Sequence, residues 1–255
     1  MAVNVNLELT DHCNIRCKMC SQSLREEAHG EPHRFMSWEV WRKGLLGLEG
    51  FSEDVHLCPH WLGEPTLHPQ FELFVEYAFA INADNRLFRS FKLHTNAVLF
   101  SEDRIRRLLR LANDPSQAAN TFETIHFSID AFSKEVYADV KGADRREIVF
   151  RNVEAFLKMR NARGLEWPRA HIAFVVQPEN AHEASDFVSF WGAQLDRMDT
   201  DWDLTWDWPA PQRDAIYLRP LNCGDQPSAD ALHARVCQEL GLTEGRGRLR
   251  AAESF

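Results

Sequence analysis

The feature that most restricts how this chain can fold is a strict alternation of strand-like and helix-like segments. Residues 3–10 (VNVNLELT) place Val3, Val5, Leu7 and Leu9 at period two, the pattern of a strand. Residues 37–50 open on a serine cap and carry Val40, Leu45 and Leu48 at helical spacing. The same change of period recurs four more times: strand 54–58 and helix 69–81, strand 90–95 and helix 101–113, strand 124–130 and helix 146–162, strand 169–176 and helix 181–195. Five βα units in succession imply a parallel sheet with helices packed outside it, joined by right-handed crossovers. At 255 residues, 44% of them hydrophobic, the chain can bury one large core of this kind. The pattern then changes. Residues 201–208 (DWDLTWDW) alternate Trp202, Leu204, Trp206 and Trp208 with Asp201, Asp203, Thr205 and Asp207, which predicts a half-exposed strand. A turn and a second strand over 215–221 follow, so a sixth parallel strand with a hairpin is expected, and then an amphipathic helix over 229–242.

In parallel α/β folds the chemistry sits at the C-terminal ends of the strands. After the first strand come Cys13, Cys17 and Cys20; after the second, Gly63 and Glu64; after the third, Thr95 and Asn96. Ser128 and Asp130 end the fourth strand, and Asn180 follows the fifth. All of these are expected at one mouth. The cysteines are spaced C-x3-C-x2-C. Thiolates bind soft or borderline metals, so zinc and an iron–sulfur cluster are the candidates. A structural zinc site closes with four ligands, whereas only three thiols share this loop, and Cys58, Cys223 and Cys237 lie far along the chain. A cubane needs one ligand per iron, so three thiolates leave one iron open for a substrate or cofactor.

Composition narrows the partners. A formal net charge of −9 offers no basic face for a nucleic acid. No run of 18 apolar residues exists to span a bilayer. The opening MAVNVNLEL lacks a basic n-region and a cleavage site, so no export signal is expected and the chain is assigned to the cytoplasm. Thiols there stay reduced, and clustered cysteines bind metal or do chemistry. Eight tryptophans and seventeen phenylalanines fill a core or line a cleft, and composition does not separate the two.

The cysteine loop, with three further motifs in order, resembles the radical S-adenosylmethionine (SAM) enzymes. WLGEPTLHP (61–69) is similar to their glycine–glutamate motif, KLHTNA (92–97) to their TNG segment, and HFSIDAFSKEVYADVKG (126–142) to their S-x-D strand and the stretch after it. The resemblance spans about residues 3–220 and is closest to the branch bearing SPASM or twitch extensions. It implies an α/β fold: a partial (β/α)6 TIM-like barrel of parallel strands over residues 1–220, with a short C-terminal β-hairpin/helix extension over 221–255. It further implies that Cys13, Cys17 and Cys20 ligate a [4Fe-4S] cluster and that the open iron chelates S-adenosylmethionine. Glu64, beside Gly63, would accept from the methionyl ammonium, a charge-assisted bond. Ser128 and Asp130 would contact the ribose or the methionine end, Lys141 the carboxylate, and the stretch ending near Asn180 the adenine. Asn96 belongs to the same cofactor-binding set.

This chain departs from the family pattern at Met19 before the third cysteine, Leu62 before Gly63, Ala97 after Asn96 and Lys141 in place of arginine. Lysine keeps the charge but loses bidentate geometry. Cys58 is expected to pack as a small hydrophobe. Cys223 and Cys237 are too few for an auxiliary cluster: either the chain lacks one or the sequence stops before the rest of a SPASM- or twitch-like region, and none is expected within these residues. His60, His68, His94 and His126 fall near strand ends and receive no role. The 199–208 stretch is preferred as a strand with one wet face over a substrate wall for sugars or cationic peptides. The implied activity is radical hydrogen-atom abstraction from a peptide or protein, supplied with electrons by a flavodoxin or ferredoxin. A dehydrogenase or epimerase acting on a sugar or aminocyclitol is the alternative, and a non-catalytic zinc module is the alternative of another class.

Overall fold

The alternation read from the sequence builds one seven-stranded sheet in which every neighbouring pair is parallel, in the order β1-β2-β3-β4-β5-β7-β6. The structure, a computed structural model, describes residues 3–23, 34–51, 55–118, 120–208 and 212–242. The strands are β1 (Val3–Asn6), β2 (Val55–Cys58), β3 (Ser90–Thr95), β4 (Phe122–Ser128), β5 (Arg169–Val176), β6 (Trp202–Thr205) and β7 (Asp214–Pro220). The helices are α1 (Trp38–Leu46), α2 (Phe71–Asn85), α3 (Glu102–Ala112), α4 (Lys134–Lys141), α5 (Arg146–Asn161), α6 (Ala184–Arg197) and α7 (Gln226–Glu239). Among the described residues β1 and β6 do not pair, so the barrel is open.

Serine side-chain caps fix three helix starts. Ser37, Ser101 and Ser133 accept from the backbone N–H of Val40, Arg104 and Val136. One sheet face meets the helices: Leu93, Ile125, Ile172 and Ile216 are fully buried there, and Phe174 packs on Phe187 of α6 at 4.8 Å. The opposite face looks into the barrel. Register places His94, His126, His171, Ala215 and Asp203 side by side across β3, β4, β5, β7 and β6. At the start of β7, on the helix-facing side, Arg160 of α5 forks onto both carboxylate oxygens of Asp214, a buried pair whose carboxylate also accepts from the Ala170 N–H.

Four expectations are corrected. The strands after the fifth unit form no hairpin: β6 and β7 run parallel, and β7 inserts between β5 and β6. β6 is not half-exposed, because its polar residues Asp203 and Thr205 face the barrel and are as buried as Trp202 and Leu204. β1 stops at Asn6 because the chain is then held by single bonds, Leu7 N–H to the Cys58 carbonyl and Met36 N–H to the Leu9 carbonyl. Between the fourth strand and the helix 146–162 stands a further helix, α4, which is short but carries Lys141 in its last turn. Residues 243–255 lie outside the described residues. No described helix is long and apolar enough to cross a membrane.

Candidate functional site

The cysteine loop is held to the barrel mouth by backbone contacts that the sequence does not advertise. Arg16 N–H donates to the Lys141 carbonyl and Lys18 N–H to the Val140 carbonyl, each at 3.0 Å. Gly142 caps α4 at φ +62°, and a Cβ there would lie 2.2 Å from the Arg16 carbonyl oxygen. Only glycine allows both the left-handed turn and that approach. Arg16 in turn clamps the loop, donating to the carbonyls of Cys13 and Ile15.

Cys13, Cys17 and Cys20 are free, half-buried thiols in this one loop. Burial pushes the Cys13 thiol up to about 12 and raises Cys17 as well, with Lys141 opposing the rise at Cys17. Without a cation these two are therefore protonated thiols, and a bound metal would have to displace their protons. No three His, Cys, Asp or Glu side chains among the described residues are grouped to hold one ion. A cluster in which each iron takes one thiolate does not need such convergence. The donor set, three thiols on a loop open to the mouth, fits a [4Fe-4S] cluster. Asn96 reaches this loop, with its Nδ2 donating to Asn14 Oδ1 at 2.8 Å and lying 3.7 Å from Cys13 Sγ.

Glu64 is buried beside the loop. Its Oε1 accepts from Thr66 N, Thr66 Oγ1 and Thr95 Oγ1, and its Oε2 from Asn96 N at 2.7 Å. Burial raises its pKa, and these four donors oppose the rise. Oε2, with a single donor, keeps the capacity to accept another. The preceding turn is pinned from two sides. Glu8 Oε1 accepts from Leu62 N at 2.5 Å and Gly63 N at 2.7 Å, and a Cβ on Gly63 would fall 2.0 Å from the Thr10 carbonyl oxygen.

Ser128, Asp130 and Lys141 come together as one cluster. Lys141 Nζ lies 2.6 Å from Asp130 Oδ2 and 3.1 Å from Ser128 Oγ, and Ser128 Oγ donates to the same carboxylate. Asp130 Oδ1 accepts from Val175 N. Burial works against the lysine's charge, but the Asp130 carboxylate overrides it and holds Lys141 above its usual value. Asp130 and Lys141 are 0% and 1% exposed, while Ser128 stays half-buried at the mouth. Asn180 ties this cluster to β5, donating to the carbonyls of Asp130 and Val175 and accepting from Gln177 N. Gln177 approaches the Met19 sulfur at 4.0 Å, so the residue before the third cysteine faces the β5 end.

All nine sequence-predicted site residues thus line one end of the sheet. Two further residues that shape the site, Glu8 and Gly142, are not singled out by the sequence pattern. Glu8 was visible only as a polar position in a period-two strand, and Gly142 only as a glycine one residue after a lysine. Cys58 is buried as expected, Cys223 is exposed and Cys237 is buried 3.4 Å from His233 Nε2.

Comparison with known proteins bears on this geometry. The family model described as Radical SAM superfamily matches residues 7–190. A tungsten-containing aldehyde ferredoxin oxidoreductase cofactor-modifying protein of Pyrococcus furiosus is 24% identical over 188 residues, covering 72% of this chain and 46% of that protein. An S-adenosylmethionine-dependent nucleotide dehydratase of Selenomonas ruminantium is 27% identical over 137 residues, 52% of this chain and 41% of that one. The chain thus spans less than half the length of these curated relatives. Among solved structures, anSMEcpe with bound AdoMet and Cp18Cys peptide superposes with a TM-score of 0.60 at 17% identity, covering 94% of this chain and 59% of that one. Streptococcus suis SuiB bound to precursor peptide SuiA gives 0.53 at 13% identity, covering 79% and 38%. At these identities the superpositions show a shared fold.

Proposed function

The chain belongs to the radical SAM superfamily, and from that premise we propose that it is an enzyme abstracting a hydrogen atom from a peptide or protein substrate. Cys13, Cys17 and Cys20 would hold a [4Fe-4S] cluster. When bound, this group would supply one-electron reduction of S-adenosylmethionine, the radical chemistry needed to take hydrogen from an unactivated carbon. The protein's part is to position and to exclude water. Glu64 Oε2 offers an acceptor for the methionyl ammonium, already oriented by three hydroxyl and amide donors on its other oxygen. Ser128 offers a hydroxyl at the mouth. Lys141 and Asp130 hold that hydroxyl in place and set a buried ion pair, with its lysine and its carboxylate acting in opposite senses, beside Cys17. Asn96, beside Cys13, orients the cluster loop.

The observation that carries the reading is the convergence of the three thiols with Glu64, Ser128 and Asn96 at one sheet end. The peptide substrate is supported by Trp61 and Leu99, which are exposed on the loops after β2 and β3. It is also supported by two fold neighbours whose structures hold peptides. A small molecule, whether sugar, aminocyclitol or nucleotide, is the second reading, favoured by the open barrel interior described below and by the dehydratase relative. Reduction by a flavodoxin or ferredoxin belongs to the same proposal.

The test is EPR of the anaerobically reconstituted, dithionite-reduced chain. A [4Fe-4S] signal that shifts on S-adenosylmethionine addition and is lost in Cys17→Ala is expected. A colourless chain holding one zinc, with no signal in either state, would overturn the proposal.

A further inference from the structure

Interiors of parallel barrels are ordinarily filled by layers of apolar side chains. This one is lined by imidazoles. The rings of His60 and His94 stack at 5.3 Å and those of His94 and His126 at 4.6 Å. His171 continues the layer on β5. Trp208, from the segment after β6, hangs in the space they enclose: its ring lies 6.2 to 6.4 Å from those of His94, His126 and His171 and 5.8 Å from Tyr217. Yet Trp208 is 51% exposed. Trp208 thus lies between this layer of rings and solvent.

The lining groups are unspent. His126 and His171 are 5% and 1% exposed, and His126 Nδ1 and both ring nitrogens of His171 have no hydrogen-bond partner among the described residues. Such groups are costly to bury unless something pairs with them. The two carboxylates that act on His171 are each paired, Glu123 with Lys92 and His56 and, on the helix-facing side, Asp214 with Arg160; Asp203 on the inward face is paired with Arg213. Arg219 on β7 is half-buried on the inward face, in register with Val175, and has no ion pair among the described residues. Its charge acts on His94, His126 and Tyr217. The histidines are not grouped to chelate a metal. What suits neutral N–H donors below an unpaired guanidinium is an oxyanion.

We propose that the barrel interior is a subsite for a carboxylate or phosphate group of the substrate, bound by His126, His171 and Arg219. His126 and His171 lie below Ser128 on the strands and Arg219, opposite Val175, lies above it, so an anion held between them would sit just inside the mouth and anchor the substrate there. The inference rests on the substrate-modifying reading above and narrows the substrate to a molecule bearing an oxyanion: a peptide with an acidic group or a phosphorylated small molecule.

The test uses the full reconstituted chain, oxidised and anaerobic, with 13C-labelled histidine. Its imidazole C–H resonances are followed by NMR while inorganic phosphate, pyrophosphate or acetate is added at constant ionic strength. His126→Gln and His171→Gln assign the signals. Saturable shifts at both positions are expected, with affinity at least tenfold weaker in Arg219→Ala and partly restored in Arg219→Lys. Response to phosphate alone assigns a phosphorylated substrate, and response to acetate alone assigns an acidic one. Histidines that ignore all three anions, or that respond equally in Arg219→Ala, would overturn the subsite. Release of 5′-deoxyadenosine by the parent chain is measured separately. Its absence alongside saturable histidine shifts would sink the enzymatic reading and leave the subsite standing; its presence without shifts would do the reverse.

Discussion

Replacing Lys141 with methionine keeps the stem volume of the side chain and removes its charge. In the parent chain the ammonium is 1% exposed and sits 2.6 Å from Asp130 Oδ2, which is itself fully buried. Removing one partner of a buried pair leaves the other charge without compensation, at a cost of about 3–5 kcal/mol. Asp130 would keep the Val175 N–H and the Ser128 hydroxyl as donors, so the low end, about 3 kcal/mol, is expected. That is a large share of the ~5–15 kcal/mol that stabilises a domain. Asp130→Asn removes the second charge while preserving the acceptor for Val175 and a residue type that tolerates its φ of +63°. The double variant Lys141→Met/Asp130→Asn should therefore recover about 2 kcal/mol relative to Lys141→Met alone. Urea denaturation followed by far-ultraviolet circular dichroism on the four chains closes the cycle. A loss under about 1 kcal/mol in Lys141→Met, or a double variant no more stable than the single one, would refute the argument that this lysine is a desolvated partner of Asp130.

Gly63→Ala, whose Cβ would fall 2.0 Å from the Thr10 carbonyl oxygen, should cost on the order of 3 kcal/mol or more and fail to bind S-adenosylmethionine in equilibrium dialysis. Glu8→Gln replaces a carboxylate that accepts two backbone N–H groups and should cost about 1–2 kcal/mol in thermal denaturation, with cluster content by iron analysis unchanged. Ala97→Gly should be near neutral, within about 0.5 kcal/mol: relief of a φ of +60° is offset by loss of a fully buried methyl. Stability should also fall as pH drops from about 6.5 toward 4. Burial depresses His94 to about 3 and His60 and His171 to about 4, and lowers His126 as well, so the unfolded chain binds protons in that window that the folded one does not. A His126→Gln/His171→Gln chain should show a flatter urea-midpoint profile over the same range.

Element type and order were legible because hydrophobic period is a local property. Strand β5 runs over residues 169–176 as expected, and β3 over 90–95. Helix α4 escaped because its eight residues hold too few turns to display a period, although Ser133 marks its cap. The site was legible to the extent that strand ends are: once five βα units were counted, the mouth had to collect Cys13, Glu64, Asn96, Ser128 and Asp130.

What the sequence by itself determined is which residues reach the mouth, since side chains at the ends of parallel strands share one end of the sheet whatever their registers. Tertiary structure decided what each of them does there. Asp130 and Lys141 spend their charges on each other, Glu64 is braced by Thr66, Thr95 and Asn96, and Glu8 supports the glycine turn. The parallel insertion of β7 between β5 and β6, which sets Arg219 on the inward face beside β5 and leaves Trp208 above the histidines, also belongs to the tertiary level. Strand pairing and side-chain partnering are contests among distant segments for the same hydrogen bonds and the same buried space. A local period carries no record of which competitor wins.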